Sequence, residues 1–272
     1  MPALFFVISF LVSIVGSICG IGGGIFIKPI FEAFEIMGIV EINFLSGSMV
    51  LAMSSVNSLR SFKTTGELEL KLTLPLALGA VAGGIAGKAA FSRAVLLLSS
   101  GSALSLIQSS LVLLMAVFSL FYTFAKDRIS TLRIEKPPFC LLIGFFLGFL
   151  SSFLGIGGGP INLVILSYFF SMDDKKAASN SLLIILLSQA ASLSQILAAG
   201  TLPPVTAVQL GAMILGGILG GQIGSSIKKG LDAQAMRKAF AGAMVFLTLI
   251  SLYGISSTLH TFMGDLASRV AG

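Results

Sequence analysis

The chain is a succession of long apolar runs separated by short polar seams. A helix needs about 20 residues to cross a bilayer. By that measure six runs are plain spans, at 44–62, 70–92, 103–125, 177–199, 205–227 and 238–258. Two further runs, 3–34 and 138–170, are of another kind. Each holds about 32 residues. As one straight helix that is about 48 Å at about 1.5 Å per residue, against a hydrocarbon core of about 30 Å. Each run is too long for one upright span and too short for two. Both are broken by the same five residues, G-I-G-G-G, at 20–24 and 155–159. Glycine in a helix costs about 1 kcal/mol relative to alanine. The pattern therefore predicts two half-helices of about 14 residues, folded back at the glycine loop.

The second half repeats the first. ISFLVSIVGSICGIGGG (8–24) aligns with IGFFLGFLSSFLGIGGG (143–159), SGSMVLAMSS (46–55) with SNSLLIILLS (179–188), and AGGIAGK (82–88) with LGGILGG (215–221), at a separation of 133 to 135 residues. The seam KDRISTLRIEKPP (126–138) is charged and ends in two prolines. The organisation read from this is a first transmembrane repeat over 1–126, a cytoplasmic linker over 127–137 and a second transmembrane repeat over 138–272. One repeat is a hairpin plus three spans. Three crossings is an odd number, so the second repeat enters the membrane upside down. The expected fold class is an all-α polytopic membrane protein of two inverted repeats, each a broken helix plus three transmembrane helices. Many secondary transporters share that plan, with the substrate held near mid-membrane between the halves.

Composition agrees on the solvent. The chain is 56% hydrophobic and 10% charged, with a mean hydropathy of +1.02, whereas soluble domains are about 25% charged. The net charge of +6 does not point to nucleic acid, because the basic residues sit in short clusters between apolar runs. Such clusters suit cytoplasmic loops and anionic lipid headgroups. Charge also selects between topologies. If all eight runs cross, neither side wins. If the two glycine-broken runs are hairpins, Lys28, Lys88, Arg93 and Arg269 stand on one side and the other 13 of the 17 basic residues on the opposite side. That is a strong positive-inside bias. It places both termini outside the cytoplasm, in a multi-pass protein of the inner (cytoplasmic) cell membrane. The first 20 residues carry no Lys or Arg and so lack the basic start of a signal peptide; the segment is expected to be retained. Cys19 and Cys140 have no metal-ligand spacing and read as apolar filler, with a functional role for Cys19, beside the first glycine loop, as the alternative.

A half-helix that begins after G-I-G-G-G points its N-terminus into the membrane. Its first N–H groups lack helical partners and carry the positive end of the dipole, and glycine lets backbone approach a ligand closely. Gly22, Gly23 and Gly24, and Gly157, Gly158 and Gly159, are thus expected to form two facing anion cradles. Dehydrating an anion costs several kcal/mol. One helix terminus returns about 0.3–2 kcal/mol, and a hydrogen bond to a charged group about 1.5–3 kcal/mol, so side-chain donors are needed as well. The candidates are Ser46 and Ser48, aligned with Ser179 and Ser181; Asn180 between the latter pair; Asn162, three residues past the second loop; and Ser55, Asn57 and Gln189, deeper in the same spans. Such residues also hold membrane helices together; their pairing beside the loops makes them candidates. Lys28, four residues past the first loop, is an intramembrane charge and a candidate ligand on that ground. The alternatives are a pair with Glu32 one turn on, or a side chain reaching outward. Leu163 stands at the equivalent place, so the charge is not part of the shared plan. The small-residue stretches at 79–87 and 211–224 predict tight helix packing, and His260 falls in a short C-terminal tail without a role.

Enzymes find little here. A dinucleotide fingerprint would need glycine where Ile25 and Pro160 stand. H-E-x-x-H and G-x-S-x-G are absent, and the spans hold almost no carboxylates. No cofactor and no metal is expected. The expected partners are a small anionic substrate and the lipid bilayer, with no nucleic acid; the number of subunits is left open, a homodimer included.

With G-I-G-G-G twice, each near the start of a four-segment repeat, nearly the whole chain resembles the sulfite exporter TauE/SafE family of bacterial and archaeal membrane permeases. Members commonly carry a proline about five residues after the glycines; Pro29 fits, whereas the second copy has Pro160 directly after its loop and Val164 where the proline would stand. The resemblance implies export of sulfite, sulfoacetate or related small organosulfonate or organic anions, by alternating access around a site formed by the two helix breaks. An importer, an exchanger or a channel-like anion pathway is the alternative.

Overall fold

The computed structural model describes residues 2–34, 36–63, 68–98 and 101–271, the side chains of residues 63, 101 and 260–271 excepted. Those residues form ten α-helices and no strand: α1 (Pro2–Cys19), α2 (Gly24–Ala33), α3 (Ile39–Lys63), α4 (Leu70–Leu97), α5 (Gly101–Ala125), α6 (Pro137–Leu154), α7 (Pro160–Phe170), α8 (Asp174–Ala198), α9 (Ala207–Gly230) and α10 (Ala233–Ala271). A single 3-10 turn, Lys126–Arg128, follows α5. Eight of the helices are long and apolar enough to cross a membrane, which leaves α2 and α7 as the short ones. The protein is a polytopic membrane protein.

Local chemistry sets the breaks. After α1 and α6 the chain turns through glycines in the left-handed region: Gly20 (φ 71°) and Gly22 (φ 72°) in the first loop, Gly155 (φ 65°) and Gly157 (φ 68°) in the second. A side chain at those positions would strain the backbone. Pro160 then starts α7 at a position where its missing N–H is no loss. Asp173 caps α8 by accepting from the Lys176 N–H at 2.9 Å, and Thr206 with Gln209 forms a capping box on α9.

Both broken runs double back. Phe5, near the start of α1, meets Phe31, near the end of α2, with ring centroids 5.2 Å apart. Leu132 and Ile134, just ahead of α6, donate to Tyr168 O and Phe169 O at the end of α7, at 2.8 and 2.9 Å. The arms are unequal, however. The expected half-helices of similar length are instead 18 residues in α1 and α6, against 10 in α2 and 11 in α7. The long arm is about 27 Å, so each loop lies deep in the bundle. A second difference is at the C-terminus. His260 was expected in a short tail, but α10 continues to Ala271; the His260 side chain lies outside the described residues.

The closest packing joins α6 to α4 and α1 to α9, so each long arm lies against a helix of the other half. A Cβ on Gly79, Gly83 or Gly87 would run into the carbonyls of Leu141, Phe145 and Phe149; one on Gly216, Gly220 or Gly224 would run into those of Phe6, Phe10 and Ile14. Backbone thus rests on backbone along both seams. Phe10 is the counterpart of Phe145 by the loop alignment, so Gly83 corresponds to Gly220, 137 positions on. The sequence alignment set these helices at 133. A glycine stripe with a period of four slides by one turn and matches itself again, and only the partner helix fixes the register.

The polarity is inside out. Phe118, Phe121, Phe124, Leu114 and Leu249 point outward, while Ser9, Ser13, Ser17, Ser46, Ser54 and Ser58 are buried. Three ion pairs, Lys126 with Asp174, Lys176 with Glu69 at 2.9 Å and Arg237 with Asp127 at 2.6 Å, join the end of α5 to the starts of α4, α8 and α10. These helix ends therefore share one face of the bundle with the linker.

Candidate functional site

The two glycine loops touch. A Cβ placed on Gly22 would lie 3.2 Å from Gly157 O, and one on Gly24 would lie 2.6 Å from Ile156 O and 2.5 Å from Ser46 Oγ. Val50 of α3 and Ile185 of α8 pack on the loops, Val50 against Gly157 at 2.5 Å from its Cβ position and Ile185 against Gly158. Ala178 meets Gly20 and Asn43 meets Gly155, so the surroundings repeat as the loops do, 135 positions apart. As packed, the meeting point has no space for even one added methyl at Gly157, and a solute held between the loops requires them to part.

The starts of α2 and α7 both lie here. Phe26 N–H bonds back to Gly23 O at 3.2 Å and Asn162 N–H to Gly159 O at 3.0 Å, so those two donors are taken. Pro160 at the head of α7 supplies no donor. Of the six loop glycines, Gly22 and Gly24 face Gly157 and Ile156 of the other loop, whereas Gly23 rests on Val12 and Ser13 of α1, Gly158 meets Ile185 and Gly159 meets Met115.

The candidate side chains divide. Ser46, fully buried, donates to Gly24 O at 3.2 Å. Ser181, which the loop separation of 135 makes its counterpart in place of the Ser179 of the sequence alignment, is also fully buried, and its hydroxyl is unpartnered. Asn162 is buried with its amide nitrogen 3.6 Å from the Gly158 Cβ position. These three stand at the loops. The others stand elsewhere. Asn180 accepts from Glu69 N–H at 3.1 Å and from Thr73 Oγ1, and donates to Lys176 O at 2.7 Å, which ties α8 to the start of α4. Asn57 donates to Ser17 Oγ at 2.8 Å, and Ser17 to Gly221 O at 2.9 Å, joining α3, α1 and α9. Gln189 donates to Ser151 Oγ at 3.1 Å, joining α8 to α6. Ser55 donates to Leu51 O one turn back at 2.7 Å. Ser48, two residues from Ser46, points about 200° round the helix from it and is half-buried. Ser179 accepts from Lys228 Nζ at 2.5 Å.

Lys28 is fully buried. Its ammonium faces Gln108 Oε1, Leu154 O at 3.4 Å and Glu32 at 3.8 Å. Glu32 in turn accepts from Ser105 at 2.7 Å and Ser109 at 2.6 Å, and Gln108 donates to Phe153 O. Leu154 ends α6, so the cation sits on the negative end of that helix. The Glu32 pairing foreseen from sequence is present, inside a network that the sequence did not disclose.

One residue at the loops escaped the sequence reading. Asn43 lies against Gly155, 6% exposed, with both its amide nitrogen and its oxygen unpartnered. It is three residues before Ser46, on the same helical face. Its counterpart is Ala178, so a search for residues shared by the repeats passes over it.

A model of the family described as sulfite exporter TauE/SafE matches residues 5–251. No curated protein and no solved structure matches the chain.

Proposed function

Because the chain belongs to the sulfite exporter TauE/SafE family, we propose that it moves small oxyanions such as sulfite, or related organosulfonates and organic anions, out across the inner cell membrane. Transport runs by alternating access in two inverted repeats, with the linker at 127–137 in the cytoplasm. The two glycine loops form the mid-membrane site and part to admit the ion. The reading is supported by the direct contact of the loops, Gly22 over Gly157 O, beside the unpartnered Ser181 hydroxyl and Asn43 amide. Donors left without partners in an apolar interior are costly, and an oxyanion accepting from them removes that cost. The driving force is simple. An inside-negative potential is worth about 2.3 kcal/mol per charge per 100 mV, roughly 50-fold in concentration for a monoanion, so efflux needs no coupled ion.

Proteoliposomes loaded with labelled sulfite or sulfoacetate test this. The expected result is saturable, potential-dependent efflux with counterflow. Flux without saturation or counterflow identifies a pore, and flux indifferent to potential rules out electrogenic export. Gly23→Leu and Gly158→Leu abolish transport if the loops hold the ion. Ser181→Ala leaves a buried site without an unpaired hydroxyl, so it keeps the fold and slows transport. Full flux in all three removes the loops from the mechanism.

A further inference from the structure

The alignment of the repeats sets two pits against each other, one beside each hairpin tip, and they are filled differently. In the first, Lys28 and Glu32 occupy the space next to Leu154 O. The counterparts of Leu154, Lys28 and Glu32, 135 positions away, are Cys19, Leu163 and Ser167. These three line a cavity of about 40 Å³ between α5, α7 and α10. The exchange of a lysine and a glutamate for Leu163 and Ser167 removes the plug.

The open pit has an unusual wall. Tyr122, 7% exposed, is one of its lining residues, and its hydroxyl is buried without a hydrogen-bond partner. Arg237 lines it too, its Nε–H buried and unpartnered while the far end of the guanidinium holds Asp127 at 2.6 Å. Lys126 lies on the same wall, donating to Ser167 Oγ at 3.2 Å and paired with Asp174. Two donors without partners and two cations thus belong to residues that line one small space. Asp174 is the one carboxylate among the lining residues. It offsets Lys126 when the pit is empty, and an incoming anion competes with it for the ammonium.

We propose that this pit is a loading site for small oxyanions, reached from the linker face and floored by Cys19, one residue ahead of the first glycine loop. The proposal rests on the permease reading above and deepens it by naming where the ion first binds and how large it is. One water needs about 10–15 Å³ of such space, so the pit holds about three water-sized bodies. A sulfite-sized ion fits. Sulfoacetate, which adds a carboxymethyl group to the sulfonate, overfills it and would extend through the mouth of the pit. Tyr122 and Arg237 donate to the oxygens, Ser167 turns its hydroxyl to a third, and the ion then passes Cys19 to the loops.

The full-length protein in proteoliposomes tests this, with efflux measured against internal sulfite concentration. Tyr122→Phe removes only the hydroxyl and is expected to raise the half-saturating sulfite concentration about tenfold, with the maximal rate kept. Tyr253→Phe, on an exposed face of α10, serves as control and leaves it unchanged. In detergent, sulfite raises the melting temperature of the wild type more than that of Tyr122→Phe, whose melting temperature without ligand matches wild type. Saturable sulfite efflux with an unaltered half-saturating concentration in Tyr122→Phe overturns the loading site and leaves the permease reading standing. Sulfite stabilisation that depends on Tyr122, in a protein that passes no anion, keeps the site and overturns the permease reading.

Discussion

Lys28 shows how one buried charge is carried. Its cation is placed among a carboxylate, an amide oxygen and a helix-terminal carbonyl, and Glu32 keeps two serine donors besides. Removing one member of such a pair leaves the other charge unmatched in a medium that solvates it poorly, at about 3–5 kcal/mol. Removing both leaves no stranded charge. Lys28→Met should therefore lower the melting temperature strongly, and Lys28→Met with Glu32→Met together should recover most of the loss. Thermal unfolding of the purified protein in detergent reads both; a double variant no better than the single one would mean that the network does not act as a pair. Glu32 and Lys28 were legible as i,i+4 partners. Ser105, Gln108 and Leu154 were not, because they come from helices 73 to 126 positions away.

At the level of elements, the glycine stripes decide which helices can approach. Gly220 rests on the Phe10 carbonyl, whereas Gly211, nine positions earlier in α9, has nothing within 4 Å of its Cβ position. Gly220→Leu should push α9 off α1 and prevent recovery of folded protein. Gly211→Ala meets no obstacle and should stabilise the helix by up to about 1 kcal/mol. The yield of monodisperse protein and its melting temperature check the two outcomes. The stripes were readable in the sequence as packing surfaces, but their partners were not. A run of small residues states that something comes close without stating what, and its four-residue period matches equally well one turn up or down. The hairpin arms carry the same lesson. Run length called for a break, but the unequal arms follow from where the left-handed glycines and Pro160 fall, and from what the long arms pack against.

For the whole molecule, the halves are interlocked. Each long arm lies against the other half, α1 on α9 and α6 on α4, while α3 packs on both α8 and α9. Expressed alone, neither residues 1–126 nor residues 138–272 should yield a stable protein, since each leaves a glycine-lined seam bare. Expressed together as two chains, they should associate and co-purify, because every helix partner is then present. Co-purification after separate expression and affinity capture measures this; a half that is stable alone would show that the exchanged arms contribute little. Anion flux through the reunited halves would further show that the linker serves only to connect them.

The sequence by itself determined the solvent, the helical class, the two broken runs and the family, since each rests on composition, run length or a short motif that acts over a few neighbouring residues. It also singled out Gly22, Gly157, Ser46, Ser181 and Asn162 as candidates, the glycines and serines through the repeat and Asn162 through its place three residues past the second loop. Tertiary structure alone decided that the loops touch, that Asn180, Asn57 and Gln189 tie helices together away from them, and that Asn43 and Tyr122 are buried without partners. Those facts depend on which backbone comes to rest against which, at distances set by glycines on a different helix, and no local pattern encodes that choice.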